Sequence, residues 1–190
     1  MNEDIELVQT ALKGEKKAFE MIIQKYQSPL ANYVGRMVKQ NELALDITQE
    51  VFIKAYSSLH SYRQEYKFKT WLFKIASNTV IDYWRKKKID AFSIDQQYDL
   101  DGDSVPFQIP SNNPSVDKIV ELHEVRERIE ELLDKLPPSL KELFVWRHIN
   151  DLSYEEMAEI KGIPVGTIKN RVFQAKEMLR KYMEKDRWNA

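Results

Sequence analysis

The sequence predicts an all-α protein made of two small helical domains joined by an acidic flexible linker, and three observations carry that prediction. Apolar residues recur every three or four positions on both sides of a stretch rich in proline and aspartate, as they do on helices with one buried face. Only 5 of 190 residues are glycine, too few for the tight turns of a β-sandwich, and no dinucleotide-type or phosphate-loop glycine string occurs. A chain of 190 residues with 43% hydrophobic content can bury one moderate core or two small ones.

Composition narrows the function classes. Zero cysteines exclude a disulfide scaffold, a thiolate zinc site and a cysteine nucleophile, and they fit a reducing compartment. No apolar run approaches the ~20 residues of a membrane span, and the N-terminus is acidic where a secretion signal would be basic. A cytoplasmic location without membrane insertion is expected. His60, His123 and His148 are scattered in different contexts and no carboxylate group has metal-ligand spacing, so neither a metal site, nor a cofactor, nor catalytic residues are expected.

The net charge of -1 conceals strong segregation. Tyr62 to Lys88 holds eight basic residues against two acidic ones, and Lys161 to Arg187 holds eight against three. Between them, Ile89 to Glu121 holds seven acidic residues against Lys118 alone. Two basic blocks suit two contacts on one polyanion, because Lys and Arg release counterions from phosphates. Either block alone would also suit a solvated helix face.

Taken in chain order, Phe19, Ile22, Ile23, Tyr26, Leu30, Tyr33 and Met37 mark a first long helix. In the next, Ala44, Ile47, Thr48, Val51, Phe52, Ala55 and Leu59 form a core side. Asp46, Gln49, Glu50, Ile53 and Ser57 fall opposite. An exposed isoleucine among carboxylates resembles a docking face for a partner helix carrying Arg or Lys; the alternative is a plain solvated face.

The stretch from Ser61 to Lys88 interleaves aromatic and basic residues. Leu72, Ile75, Ala76, Thr79 and Tyr83 can face a core, while Lys74, Asn78, Ile81 and Arg85 align on the other side. Trp71, Phe73 and Trp84 border that polar face, and Tyr62, Tyr66 and Phe68 precede it. Rings stack on unpaired bases while cations track phosphates, so the pattern suits single-stranded nucleic acid. Core packing is the competing use of these side chains, and for Leu72, Phe73 and Tyr83 it is the favoured one.

Residues 91–118 hold three of the seven prolines with many Asp, Ser and Asn, and read as the linker. Beyond it, Ile119, Leu122, Val125, Ile129 and Leu132 resume the helical step. Ser153 and Glu156 form a capping box that starts a helix near Tyr154, and Gly162 stops it. Pro164 then suits the first position of another helix. There Ile168, Val172, Ala175, Leu179 and Tyr182 form a buried stripe. Gly166, Lys169, Asn170, Phe173, Gln174 and Glu177 lie opposite, with Arg171 on the flank. A helix, a tight turn and a helix with this polar face suit the major groove: Lys and Arg favour guanine acceptors, Asn and Gln adenine, and Phe a thymine methyl.

Three strings, DITQEVFIKAY from Asp46, FKTWLFKIASNTVIDYWRKKK from Phe68 and LSYEEMAEIKGIPVGTIKNRVFQAKEMLRK from Leu152, occur in this order. The chain thereby resembles the extracytoplasmic-function sigma factors, the smallest members of the bacterial sigma-70 superfamily, over nearly its whole length. The resemblance implies a sigma-2 domain at 1–90 that binds the clamp helices of core RNA polymerase and melts the minus-ten element. It implies an acidic linker at 91–118, and a sigma-4 domain at 119–190 that binds the flap tip and reads the minus-thirty-five element.

Asp46, Gln49 and Glu50 match the clamp-binding motif, with Ile53 on the same face. Tyr62, Arg63, Tyr66, Lys67 and Phe68 match the loop that captures a flipped base, and Asn78 lies in the adjacent helix with Lys74 and Arg85. Thr167, Lys169, Asn170, Arg171, Phe173 and Gln174 fall on the upstream reader. Gln174 departs from the family pattern, where a basic residue often follows the phenylalanine. Implied partners are core polymerase, promoter DNA and an anti-sigma protein. The competing reading is a helix-turn-helix regulator with a ligand-binding or dimerising N-terminal domain, and an enzyme comes third.

Overall fold

The computed structural model describes residues 3–93 and 127–188, with side-chain surroundings for 3–87 and 127–184. The chain divides into two compact units, Met1–Val105 and Pro106–Ala190. Most of the expected linker lies outside the described residues, as do Ile119, Leu122 and Val125. All regular structure among the described residues is helical, as predicted.

The first unit consists of α1 (Glu3–Leu12), α2 (Lys16–Val38), α3 (Asn41–Ser57), a short 3-10 turn (Leu59–Ser61) and α4 (Phe68–Ser93). The predicted stripes become its core: Ile22 and Leu30 of α2 and Phe68, Leu72 and Phe73 of α4 are fully buried. Each contributes roughly 1.5–3 kcal/mol by leaving water. α2 ends where Lys39 adopts a left-handed φ of 61° and donates its N–H to the Gly35 carbonyl at 2.9 Å. That reversal turns the chain directly into α3. The sequence marks no helix at α1, yet α1 packs on α2 through buried Val8 and Ala11. Its buried Asp4 accepts hydrogen bonds from the Tyr26 hydroxyl at 2.6 Å and Lys25 Nζ at 2.7 Å. α4 continues to Ser93, past the domain boundary of 90 set by the sequence.

The second unit consists of α5 (127–134), α6 (Pro138–His148), α7 (Tyr154–Lys161) and α8 (Val165–Trp188). Leu133, Leu143, Trp146, Leu152, Met157 and Ile168 are fully buried among the four helices. The buried Lys141 and Glu142 are each paired with an opposite charge, as desolvation requires. Lys141 binds Asp134 at 2.6 Å, and Lys161 binds Glu142 while lying 4.9 Å over the Trp146 ring. Two expectations are corrected. Ile129 belongs to the predicted core stripe but is exposed, whereas Leu132 is buried. Pro164 is not the first helical residue; it is the cap, and its carbonyl accepts the first helical bonds from Thr167 and Ile168 at 2.9 and 3.2 Å.

Candidate nucleic-acid and partner interfaces

On α3 the period of 3.6 residues separates two faces. Ala44, Ile47, Thr48, Val51, Phe52 and Ala55 are buried, which leaves Asp46, Gln49, Glu50 and Ile53 exposed. Ile53 is 67% exposed. The sequence treats these acids alike, and the structure distinguishes them. Glu50 is bridged by Lys54 at 2.7 Å, and Lys54 also donates to the Thr79 hydroxyl of α4 at 3.3 Å. Asp46 has no ion-pair partner among the described residues. A shallow groove of about 330 Å³ follows the α3–α4 seam, lined by Asp46, Glu50, Lys54, Thr79, Tyr83 and Arg85. Leu45 and Tyr56, absent from the sequence prediction, are about half exposed and extend the apolar stripe past Gln49 and Ile53. Their spacing of four, four and three on the solvent side was the available signal.

The second set splits by depth. Arg63, Tyr66, Lys67, Lys74, Asn78 and Arg85 are exposed, and Lys74, Asn78, Ile81 and Arg85 form the predicted stripe along α4. Tyr62 and Phe68, at 9% and 0% exposure, lie in the core of the first unit. Their rings meet edge-on at 5.4 Å, and both pack on Trp71 at 5.6 and 5.4 Å. Phe68 also lies 5.7 Å from Tyr26. Burial pushes the Tyr62 phenol up, with the Asp4 charge adding to the effect. Of the rings of Tyr62, Tyr66 and Phe68, that of Tyr66 is the exposed one, at 44%. Phe73 is buried against Tyr33 at 5.7 Å, as its core reading requires.

In the second unit the capping box forms as read. Glu156 N–H donates to Ser153 Oγ at 3.1 Å and Ser153 N–H to Glu156 Oε2 at 2.7 Å. Gly162 ends α7 at φ 65°, a conformation that favours glycine. α8 then buries Ile168, Val172 and Ala175, half-buries Leu179 and Tyr182, and exposes Lys169, Asn170, Arg171, Phe173 and Gln174. Thr167 is half-buried at the helix start. Phe173 is 64% exposed. Lys169 Nζ lies 5.7 Å from the centre of the Tyr154 ring, which the Arg147 guanidinium also approaches at 4.8 Å. Among the described residues no group of His, Asp and Glu could hold a metal ion, and no helix is long and apolar enough to cross a membrane.

Two helical units, one with a basic aromatic loop and the other with a capped helix-turn-helix, define a two-domain regulator that contacts nucleic acid. Residues 22–89 match Sigma-70 region 2, and residues 126–179 match Sigma-70, region 4. The chain is 35% identical to the ECF RNA polymerase sigma-E factor of Haemophilus influenzae, covering 93% of each chain. It is also 35% identical to the ECF RNA polymerase sigma factor SigW of Bacillus subtilis, covering 90% of this chain and 91% of the relative. The fold resembles that of the sigma factor RpoE of Bartonella quintana, solved with the anti-sigma factor NepR, at a TM-score of 0.72 and 23% identity over 88% of this chain and 98% of that one. CnrH, solved with the cytosolic domain of CnrY, gives 0.71 and 21% over 97% and 99%.

The chain belongs to the extracytoplasmic-function family of RNA polymerase sigma factors. It directs core RNA polymerase to specific promoters and helps to melt the minus-ten element during initiation. The regulator with an unrelated N-terminal domain is set aside, because region 2 spans most of the first unit.

Proposed function

We propose that the two units divide the work of initiation as the sequence boundaries 1–90, 91–118 and 119–190 suggest, with α4 carrying the first unit on to Ser93. The α3 face of Asp46, Gln49, Glu50 and Ile53, widened by Leu45 and Tyr56, docks on the polymerase clamp helices. Exposed apolar area beside carboxylates supports that use, since a basic amphipathic helix would satisfy both. The loop of Arg63, Tyr66 and Lys67, with Lys74, Asn78 and Arg85 of α4, holds the melted minus-ten strand: Tyr66 stacks on a base and the cations follow the backbone. Lys169, Asn170, Arg171, Phe173 and Gln174, near the N-terminus of α8, read the duplex minus-thirty-five element, with Thr167 beside the backbone.

The observation that carries this reading is the exposure of Phe173 among Lys169, Asn170 and Gln174 on a helix whose opposite face is buried. A cytoplasmic location follows from the need to meet polymerase and promoters. An anti-sigma protein covers the free factor, a reading supported by the complexes in which the similar folds were solved. Run-off transcription with purified core enzyme on a genomic fragment library tests the whole assignment. Substituting Asn170 should impair use of promoters that depend on upstream duplex, yet spare a template already melted at the minus-ten element and lacking the upstream element. Substituting Tyr66 should do the reverse, and identical defects on both templates would refute the division.

A further inference from the structure

The loop assigned to the melted strand, residues 62–67, reads Tyr-Arg-Gln-Glu-Tyr-Lys and contains neither glycine nor proline. No restricted backbone therefore imposes its shape. Hydrogen bonds hold it instead, and two of them converge on Tyr66. The Tyr66 N–H donates to the Arg63 carbonyl at 3.2 Å, and the Tyr62 hydroxyl donates to the Tyr66 carbonyl at 2.7 Å. Both end on Tyr66, the one ring of this loop that faces solvent.

Tyr62 is itself fixed from behind. Its ring packs on Phe68 and Trp71, and Phe68 packs on Tyr26. The Tyr26 hydroxyl donates to Asp4, whose other oxygen takes Lys25 at 2.7 Å. A buried carboxylate on α1 is thus joined, through three rings, to the clasp that closes the loop. The phenol of Tyr62 is pushed upward by burial, so its proton stays available for donation throughout the ordinary pH range.

We propose that Tyr62 is a positioning residue for minus-ten recognition: its hydroxyl, bonded to the Tyr66 carbonyl, presets the loop so that the Tyr66 ring meets an unpaired base without being ordered at that moment. A loop that must be ordered on binding gives up conformational entropy for each residue fixed, and a preset loop does not. α1 contributes at a distance, because Asp4 and Tyr26 hold the ring cluster on which Tyr62 rests. The inference depends on the assignment of residues 62–67 to the melted strand, and the experiment separates the two.

Holoenzymes are assembled from core polymerase with the native factor, Tyr62→Phe or Tyr66→Ala, and each selects from a randomised single-stranded DNA pool. Sequence preference and affinity for the strand most enriched by the native holoenzyme are measured. Affinity of each factor for core is measured separately. Tyr62→Phe keeps the ring and removes only the clasp. It should lower strand affinity about 3- to 10-fold and flatten the preference, with core affinity changed less than about twofold.

A Tyr62→Phe holoenzyme that binds and discriminates like the native one, while Tyr66→Ala is defective, overturns the clasp alone. Native behaviour from Tyr66→Ala overturns the loop assignment and the clasp with it. Loss of core binding by Tyr62→Phe in proportion to loss of strand binding would make the hydroxyl an ordinary element of the fold, and overturns the proposal too.

Discussion

Replacing Ile53 by alanine isolates the apolar part of the α3 docking face. About two thirds of this residue is exposed, so that share of its surface is available to a partner. Burying a whole isoleucine side chain is worth roughly 1.5–3 kcal/mol, which scales to about 1–2 kcal/mol for the exposed part. Alanine retains the β-carbon, trimming the expected loss to about 1–1.5 kcal/mol, or a 5- to 12-fold weaker complex with core polymerase. Folding should be untouched, because the side chain lies in solvent and alanine is the better helix former. The assay is a fluorescence-anisotropy titration of labelled factor with purified core, with thermal melting as the control. An affinity within twofold of native, in a factor that melts normally, would refute Ile53 as a docking contact.

Asp46→Lys should also weaken core binding, and by less at high salt, since an exposed charge acts through a screened field; a salt-independent defect would contradict an electrostatic role. Ser153→Ala removes the capping box of α7 and should cost the second unit about 1 kcal/mol, read as a lower midpoint of its thermal transition. Tyr26→Phe should weaken the first unit and flatten its alkaline unfolding. Burial first, and the Asp4 hydrogen bond second, raise the Tyr26 phenol well above its ordinary value of 10.0. That contribution is complete below the ordinary value and is lost as pH rises above it, where only the unfolded chain releases the proton. Circular dichroism against pH reads the difference, and equal alkaline curves would contradict it. Asn170→Ala should relax base discrimination upstream by about 1–3 kcal/mol while leaving melting unchanged, measured by competition among duplex promoter variants.

What the sequence discloses depends on how local the cause is. Ser153 and Glu156 cap α7 within four residues, so the string alone shows it. The two faces of α3 are equally legible, because a helical period sorts Val51 from Ile53 without knowledge of what packs on either. Tyr62 and Phe68 are different. A ring between cations suits a base or a core, and what decides is Tyr26 on α2, held by Asp4 on α1. α1 escapes detection for the same reason. It is short, and its most telling feature is a buried carboxylate whose partners lie on another helix. Pro164 is displaced by one position because proline, having no N–H to leave unsatisfied, fits a cap as well as a first turn.

Ile53 and Phe173 are the two most exposed large apolar residues described, and each unit carries one. Single exposed hydrophobics are ordinary on soluble proteins, so exposure alone decides little. Their neighbours decide more. Ile53 continues a stripe with Leu45 and Tyr56 beside an Asp46 that lacks an ion pair among the described residues, whereas Phe173 stands among hydrogen-bonding side chains. The first setting suits a protein surface, which can bury a stripe and supply a cation. The second suits base edges, which ask for donors, acceptors and one apolar contact. Under the roles proposed for the two faces, masking α8 would silence upstream reading, whereas masking α3 would withhold the clamp contact on which both reading steps depend.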